Sequence, residues 1–488
     1  MKKKILIVTP WYPRASATND TDRISGIFVA DQARALTKAY DVAVLHADAR
    51  HIISAYNEIE EHDGLNIFHF HEPMPPTNSP LDYQRQSVRA ALHGFQAICS
   101  EWGLPHLIHA HIIMPGGWAG LIMGRMCRIP VVLTEHTEPF SIHLNPLSPR
   151  ITSLEMRRLV RCIFNGVERV VAVSPTMVDQ IHAVVPEINM EIIGNVISPE
   201  FFEDGDPNWQ KEKTVGLTRF LAMGINPLDR KGISSLLKAA QILNLNGEKQ
   251  FEICIGGAGS ALPHLERLAT ELGVMEQCHF LGGLSRAEAR RWMHLCDVFV
   301  LPSMGETFSV ATAEAMACGK PAIVTRCGGP EFFTNEENGV FIPINDAQAL
   351  ANAMQGFIHG EYRFEAERVR QSIATRFHPD IFLKDISQIY EQVEGSYLTV
   401  PANKTSKEHA QYAQDMLLLV DYSNVDANDT GKLFEIALNA TRVFFPGFIK
   451  IIKNKGSQVL KYFVIGVGLF LFIILLSLVL IALGVWLR

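Results

Sequence analysis

Two long stretches of this 488-residue chain alternate short apolar runs of strand length with helical patterns. Parallel strands need a helix-length crossover between them, so this alternation points to parallel, doubly wound sheets. The first stretch predicts strands at 5–9, 42–46, 65–70, 107–110, 130–134, 169–173 and 191–193. The second predicts strands at 219–223, 251–255, 279–281, 298–301, 321–325 and 340–343, with amphipathic segments at about 346–376 and 380–395 closing it. The expected fold class is α/β, two Rossmann-like doubly wound domains facing a cleft, with ligands expected at the carboxyl ends of both sheets. The expected boundaries are 1–198 for the first domain, 199–214 for a linker rich in Asp, Glu, Gly and Pro, and 215–378 for the second domain. A closing helix able to cross back to the first domain follows at 379–398, then a polar connector with a basic interfacial segment at 399–461.

The last part, 462–488, reads as a transmembrane helix. Phe463 to Leu487 is a run of 25 residues without a charge, which as a helix would span about 37 Å against a hydrocarbon core of ~30 Å. Arg442, Lys450, Lys453, Lys455 and Lys461 precede it with no acidic residue among them, and the positive-inside bias keeps that flank cytoplasmic. The apolar run after Met1-Lys-Lys-Lys is only Ile5 to Val8, too short for a signal-peptide core. The expected localisation is therefore a single-pass C-terminal membrane anchor with a cytoplasmic body. With 48% hydrophobic and 19% charged residues the body is globular. A net charge of −7 without a Lys/Arg stripe excludes a nucleic-acid binder and favours a small ligand. The eight cysteines form no CxxC pair and read as reduced core residues.

The segment Leu301-Pro-Ser-Met-Gly-Glu-Thr-Phe-Ser-Val310 follows a buried strand pattern, and 311–319 reads as the helix that comes next, stopped by Gly319. The free amides and dipole of a helix N-terminus around Phe308, Ser309 and Val310 suit a diphosphate. Glu306 precedes that helix and Glu314 lies within it, eight residues on; at ~1.5 Å per residue they are roughly 12 Å apart, the span of a nucleotide sugar from sugar to ribose. Charged acceptors on either side of a diphosphate make strong hydrogen bonds to hydroxyls. Taken alone, an E-x7-E spacing is more often chance than site.

The same segment, with Pro321 and Gly328-Gly-Pro330 after it, closely resembles the donor-site signature of family 4 glycosyltransferases (glycosyl transferases group 1), retaining enzymes of GT-B fold. The resemblance extends over most of residues 1 to 395, including Ile255-Gly-Gly-Ala-Gly259, Phe280-Leu-Gly-Gly283, Ala110-His111, Pro115-Gly116, Thr134-Glu-His136, Val173-Ser174 and Gly194-Asn-Val196. It implies a first, acceptor-side domain and a second domain that binds the nucleotide-sugar donor. It also implies that Lys231, of Lys231-Gly232, supplies a cation to the diphosphate and that His136 contacts the donor sugar. Gly26, in the turn Ser25-Gly26-Ile27, allows close backbone approach, and Gly257 joins the donor-binding set. The family commonly has Arg directly after the glycine that ends the first strand of the second domain, whereas here Ile225 follows Gly224. Either Arg230 swings in to take that place, or Lys231 and the helix-terminal amides suffice.

Lys231, Glu306 and His136 are thus the expected catalytic residues; Gly26, Arg230, Gly257, Phe308, Ser309, Val310 and Glu314 are the expected donor-binding residues. No cofactor and no essential metal are expected. His69-x-His71 and His109-x-His111 read as strand alternation, and the Asp-x-Asp triplets at Asp20/Asp22 and Asp204/Asp206 fall in polar loops. The expected partners are a UDP- or GDP-sugar, a glycan or lipid-linked acceptor, and the membrane, with no nucleic acid. Two rivals stand beside this reading: a sugar-nucleotide epimerase of the same architecture, and a membrane-tethered donor-binding protein impaired in catalysis.

Overall fold

The structure is a computed structural model that describes residues 2–14, 25–52, 54–74, 80–137, 154–225 and 228–396. The first domain holds an eight-stranded sheet made of β1 Lys4–Thr9, β2 Asp41–Arg50, β3 Tyr56–His62, β4 Leu65–Pro73, β5 Leu107–His111, β6 Val131–Glu135, β7 Arg169–Ala172 and β8 Met190–Ile192, in the order β3-β4-β2-β1-β5-β6-β7-β8. Every neighbouring pair is parallel except β3 with β4. Strands such as Ile5 to Val8 are wholly buried because helices cover both faces of the sheet, which is why they read as continuous apolar runs.

The second sheet comprises β9 Thr218–Met223, β10 Phe251–Gly256, β11 Cys278–Gly282, β12 Val298–Leu301, β13 Ala322–Thr325 and β14 Gly339–Ile342. Its order, β11-β10-β9-β12-β13-β14, is that of the Rossmann dinucleotide fold, and it reverses between β9 and β12, where a ligand crevice opens. The helices Ile233–Leu245, Leu262–Glu271 and Ala347–Ile358 bury Leu236, Leu237, Leu243, Leu265, Leu350 and Met354 against Phe220, Ile253, Ile255 and Val298.

The structure departs from the sequence reading at three places. β3 was absent from the predicted strands; its Tyr56, Asn57, Glu58, Glu60, Glu61 and His62 make a polar, largely exposed edge without the apolar alternation that marks a half-buried strand. The segment expected as one helix at about 346–376 is two, Ala347–Ile358 and Ala366–Phe377, broken at Gly360, whose φ of 71° is left-handed. Cys162 is exposed, while the other seven cysteines are buried thiols.

The stretch 199–214 contains two short 3-10 turns, Pro199–Phe202 and Trp209–Glu212. The helix Pro379–Ser396 returns to the first domain, burying Phe382, Ile386, Tyr390 and Val393 in the core formed by Ile5, Ile7, Val29, Val42 and Val44. The expected connector 399–461, the expected membrane helix 462–488 and the Asp20/Asp22 triplet lie outside the described residues. Among the described residues no helix is long and apolar enough to cross a membrane.

Candidate active site

The loop after β12 is held from several sides. Ser303 is fully buried and its Oγ donates to Glu306 Oε1 at 2.7 Å, while Thr325 Oγ1 donates to the Ser303 carbonyl at 2.5 Å. Glu306 N donates to the Cys327 carbonyl at 3.0 Å and Gly329 N to the Glu306 carbonyl at 2.8 Å. Against this fixed carboxylate stands Lys231, its Nζ 2.6 Å from Glu306 Oε1. The Lys-Gly pair needs its glycine: Gly232 has φ 70°, and a Cβ there would meet the Pro302 carbonyl oxygen at 2.0 Å. The lysine stem in turn lies over Gly224, where a Cβ would come 3.3 Å from Lys231 Cγ and Cε.

The helix Val310–Ala317 begins immediately after Ser309, which takes φ 72° and makes no side-chain cap. Its hydroxyl instead pairs with Thr312 Oγ1 at 2.8 Å, which leaves the first-turn amides for an anionic ligand. The Phe308 side chain is buried against Phe333 and Phe377, ring centroids 5.2 and 5.0 Å away, so Phe308 offers the site its backbone. Glu314 lies inside the helix, 8% exposed, and burial pushes its carboxyl up to about 8 against the opposing charge of Arg286.

From the first domain, β6 ends in Glu135, a buried carboxylate that accepts from Ile113 N at 2.7 Å, His136 N at 2.9 Å, Thr137 N at 2.7 Å and Thr137 Oγ1 at 2.6 Å. These bonds fix the backbone that presents His136. The His136 ring pairs through Nε2 with His111 Nδ1 at 2.9 Å and stands 4.6 Å from the Phe28 ring; among the described residues its buried Nδ1 makes no close hydrogen bond, with the Asn195 side chain acting on the ring. Burial pushes its pKa down to about 3, so the imidazole is neutral across the physiological range and offers hydrogen bonds rather than charge. Gly26, at φ 72°, caps the helix Ile27–Thr37 that carries Phe28, and a Cβ there would fall 2.1 Å from the Trp11 carbonyl oxygen.

The two halves meet here. Thr307 Oγ1 donates to the His136 carbonyl at 2.9 Å, so Lys231, Glu306, the 308–310 segment, His136 and the Gly26 helix form one continuous set of contacts. Gly257 adjoins that set through Gly224, which lies under the Lys231 stem; it takes φ 141°, and an added Cβ would lie 2.9 Å from the Ile225 backbone nitrogen and 3.4 Å from the Gly224 carbonyl carbon. The Ile225 side chain packs on the core of the second domain and brings no cation. Arg230 is anchored through its carbonyl, which accepts from Met304 N at 2.9 Å. The site residue that sequence reasoning missed is Arg286. Its Nη2 reaches Asp31 Oδ2 at 2.7 Å and Glu314 Oε1 at 3.4 Å, and its Nε reaches Glu200 Oε1 at 2.6 Å. The capping box of Ser285 and Glu288 that starts its helix is a legible local signal; a partner 255 residues away is not.

Comparison with known proteins decides the family. The sequence model of "Glycosyl transferases group 1" matches residues 208–376 and that of "Glycosyltransferase Family 4" matches residues 25–201. The chain belongs to glycosyltransferase family 4. It is a transferase enzyme with the GT-B architecture of two Rossmann-like domains. A putative teichuronic acid biosynthesis glycosyltransferase of Bacillus subtilis is 24% identical over 428 residues, covering 84% of this chain and 98% of that protein. An uncharacterized glycosyltransferase of Methanocaldococcus jannaschii is 24% identical over 345 residues, 70% of this chain and 90% of that one. Among solved structures, a sucrose-phosphate synthase from Thermosynechococcus elongatus superposes with TM-score 0.66 at 21% identity, over 81% of this chain and 100% of its own. HepE of Anabaena, in complex with UDP and glucose, superposes with TM-score 0.60 at 16% identity, over 80% of this chain and 100% of its own.

Proposed function

We propose that this glycosyltransferase moves a sugar, with retention of anomeric configuration, from a UDP- or GDP-sugar to a glycan or lipid-linked acceptor in the assembly of cell-surface polysaccharide or glycolipid. The observation that carries the reading is the Lys231–Glu306 ion pair at the mouth of an uncapped helix N-terminus, with a buried, neutral His136 on the first domain. The diphosphate lies on the helix-terminal amides with Lys231 beside it. Glu306 and His136 take hydroxyls of the transferred sugar, and Glu314 takes those of the ribose. The UDP and glucose complex of HepE and the teichuronic acid biosynthesis in the name of the Bacillus subtilis relative support the reading of a nucleotide-sugar donor and a cell-surface product.

As the bond from the anomeric carbon to the diphosphate oxygen breaks, negative charge grows on the leaving phosphate, and preorganised positive charge stabilises that state. The acceptor oxygen bonds to the anomeric carbon from the face the leaving group quits, and its proton passes to the departing phosphate. No residue of the site is assigned as a general base, and no step calls for a metal. The uncharged run at Phe463 to Leu487 anchors the body on the cytoplasmic face of the membrane, beside lipid-borne acceptors.

Incubating the purified full chain in detergent with labelled UDP- and GDP-sugars tests the reading. Slow donor hydrolysis or transfer with α-to-α or β-to-β retention supports it, and an epimerised sugar replaces it with the epimerase. Ile225, packed on the core where the family resemblance implies Arg, favours one second reading, a donor-binding protein impaired in catalysis. Nucleotide binding with no turnover on any donor selects that one, and absence of nucleotide binding rejects all three.

A further inference from the structure

His46, His69 and His71 form a second cluster, on strands that do not carry the donor site. The parallel register sets His46 beside His69 and Asp48 beside His71. Residues two apart share a face of a strand, so the face of β2 and β4 that buries Val42, Val44, Leu65 and Ile67 in the core becomes a histidine and carboxylate patch toward their carboxyl ends. Between β2 and β6, which leads into His136, lie β1 and β5.

We propose that His46, His69 and His71 bind one divalent transition-metal ion of the zinc class, at a site distinct from the donor cleft. All three side chains are buried, at 0%, 0% and 2% exposure, and one nitrogen from each lies within 4.8 Å of the others. Their outward nitrogens are already engaged. His71 Nδ1 contacts Asp48 Oδ1 at 2.5 Å and His69 Nε2 contacts Glu60 Oε1 at 3.1 Å, the carboxylate–histidine pairing that orients metal ligands and raises their basicity. Their inward nitrogens are the ones a metal would use. Among the described residues His71 Nε2 is buried with no hydrogen-bond partner, and His46 Nδ1 faces His69 Nδ1 at 2.8 Å. Burial lowers the pKa of each imidazole, so the lone pairs are present at neutral pH. Asp48 and Glu60 bring two negative charges to the ion, opposed by Arg50, which already pairs with Asp48, and by Arg14, whose charge acts on all three imidazoles.

A tetrahedral ion with Zn–N bonds near 2.0–2.1 Å sets its nitrogens about 3.3 Å apart, so the His46–His69 pair opens by about half an ångström and His71 draws in. One neighbour must yield. Arg50 Nη2 lies 3.1 Å from His46 Nε2, and a metal on Nδ1 leaves the proton on Nε2, facing another donor. Arg50 already holds Asp48 Oδ1 through Nε at 2.8 Å, which gives the guanidinium a place to turn. The loaded site would tie β2, β4 and, through Glu60, the edge strand β3 together, beside Tyr12, whose ring centroid lies 6.4 Å from that of His46.

The test uses the full chain in detergent, purified without a histidine tag, stripped with a chelator and titrated with Co2+ as a spectroscopic stand-in for zinc. The expected result is one Co2+ per chain with the intense visible bands of tetrahedral coordination, lost on adding Zn2+. His69→Ala and His71→Ala should abolish those bands. Asp48→Asn should weaken binding by about 10–100-fold, whereas Arg50→Gln, which offers His46 Nε2–H an acceptor, should tighten it. Saturating Co2+ without tetrahedral bands, bands that survive in both histidine variants, or unchanged affinity in both Asp48→Asn and Arg50→Gln would overturn the proposal. The last pair decides the matter even where a histidine variant fails to fold.

Discussion

Arg286 and Glu314 stand 3.4 Å apart, guanidinium to carboxylate, in the free protein. The carboxylate assigned to the ribose therefore already has a cationic neighbour, and that neighbour also grips Asp31 of the first domain at 2.7 Å. On the proposed placement of the donor, ribose binding at Glu314 and contact between the domains would share one side chain.

Burial holds the Glu314 proton up to about pH 8. A ribose diol donates to the ionised carboxylate, so the ligand binds the deprotonated form preferentially and binding releases a proton. Nucleoside diphosphate affinity should therefore rise between pH 7 and 9, by up to about tenfold, and level off above. Calorimetric titration over that range checks it, with Glu314→Gln expected to be weaker and flat. Apo stability should run the other way. The folded state holds a proton that the unfolded chain, with an ordinary Glu at 4.5, has lost, so this group costs stability as pH climbs from about 4.5 to about 8.

Arg286 opposes that burial, since its positive charge pulls the Glu314 pKa down. Arg286→Gln should accordingly move the midpoint of the affinity profile to higher pH. The same substitution leaves Asp31, whose side chain is 2% exposed, with Arg34 at 2.7 Å. The domains should part more readily in the unliganded variant, read as a larger radius of gyration by small-angle scattering. An unchanged profile would mean that Arg286 does not reach Glu314 in solution.

The strands that could be read from the sequence are those whose apolar runs a two-sided burial demands, such as Ile5 to Val8 and Val298 to Leu301. β3 could not, because an edge strand facing solvent keeps its Glu58, Glu60 and Glu61 and loses the apolar signal. In the site, Lys231 and Glu306 were legible through local motifs, each carried by its own glycine-bearing turn. Arg286 with Asp31, and His46 beside His69, were not, because both depend on which distant strands and helices the topology sets side by side. The histidine alternation at 69 and 71 is visible in one strand; the third member comes from sheet register alone.

The helix Pro379–Ser396 completes the first domain, and Tyr390 is its deepest polar contact, the hydroxyl 2.7 Å from His109 Nδ1 with both groups fully buried. The other nitrogen of His109 is engaged by Thr134 Oγ1 at 2.7 Å, so among the described hydrogen bonds the Tyr390 hydroxyl alone serves Nδ1. Tyr390→Phe should cost about 1–2 kcal/mol, the loss of one buried hydrogen bond with its partner left unpaired. Chemical denaturation should show a lower midpoint at unchanged slope, with nucleotide affinity unaltered.

In the proposed donor site Lys231 and Glu306 serve the reacting bond and Glu314 serves the nucleotide. Leaving-group charge appears only in the transition state, so Lys231→Met should lower kcat by about 10²–10³-fold, the range for removing one preorganised stabilising group. Ground-state diphosphate binding retains the helix-terminal amides and should weaken less. Glu306→Ala removes the carboxylate that pairs with the Lys231 ammonium and is proposed to hold the sugar, and should also cost turnover more than nucleotide affinity. Glu314→Ala should do the reverse, weakening nucleotide binding more than it slows bound donor. Single-turnover rates measured beside nucleotide affinities separate these outcomes, and equal losses of rate and affinity in Glu306→Ala and Glu314→Ala would refute the division of roles. Glu306→Gln supplies the finer comparison. It keeps an acceptor for Ser303 Oγ at the same position and removes the charge opposite Lys231, so a rate between those of the wild type and Glu306→Ala is expected if hydrogen bonding and charge both contribute.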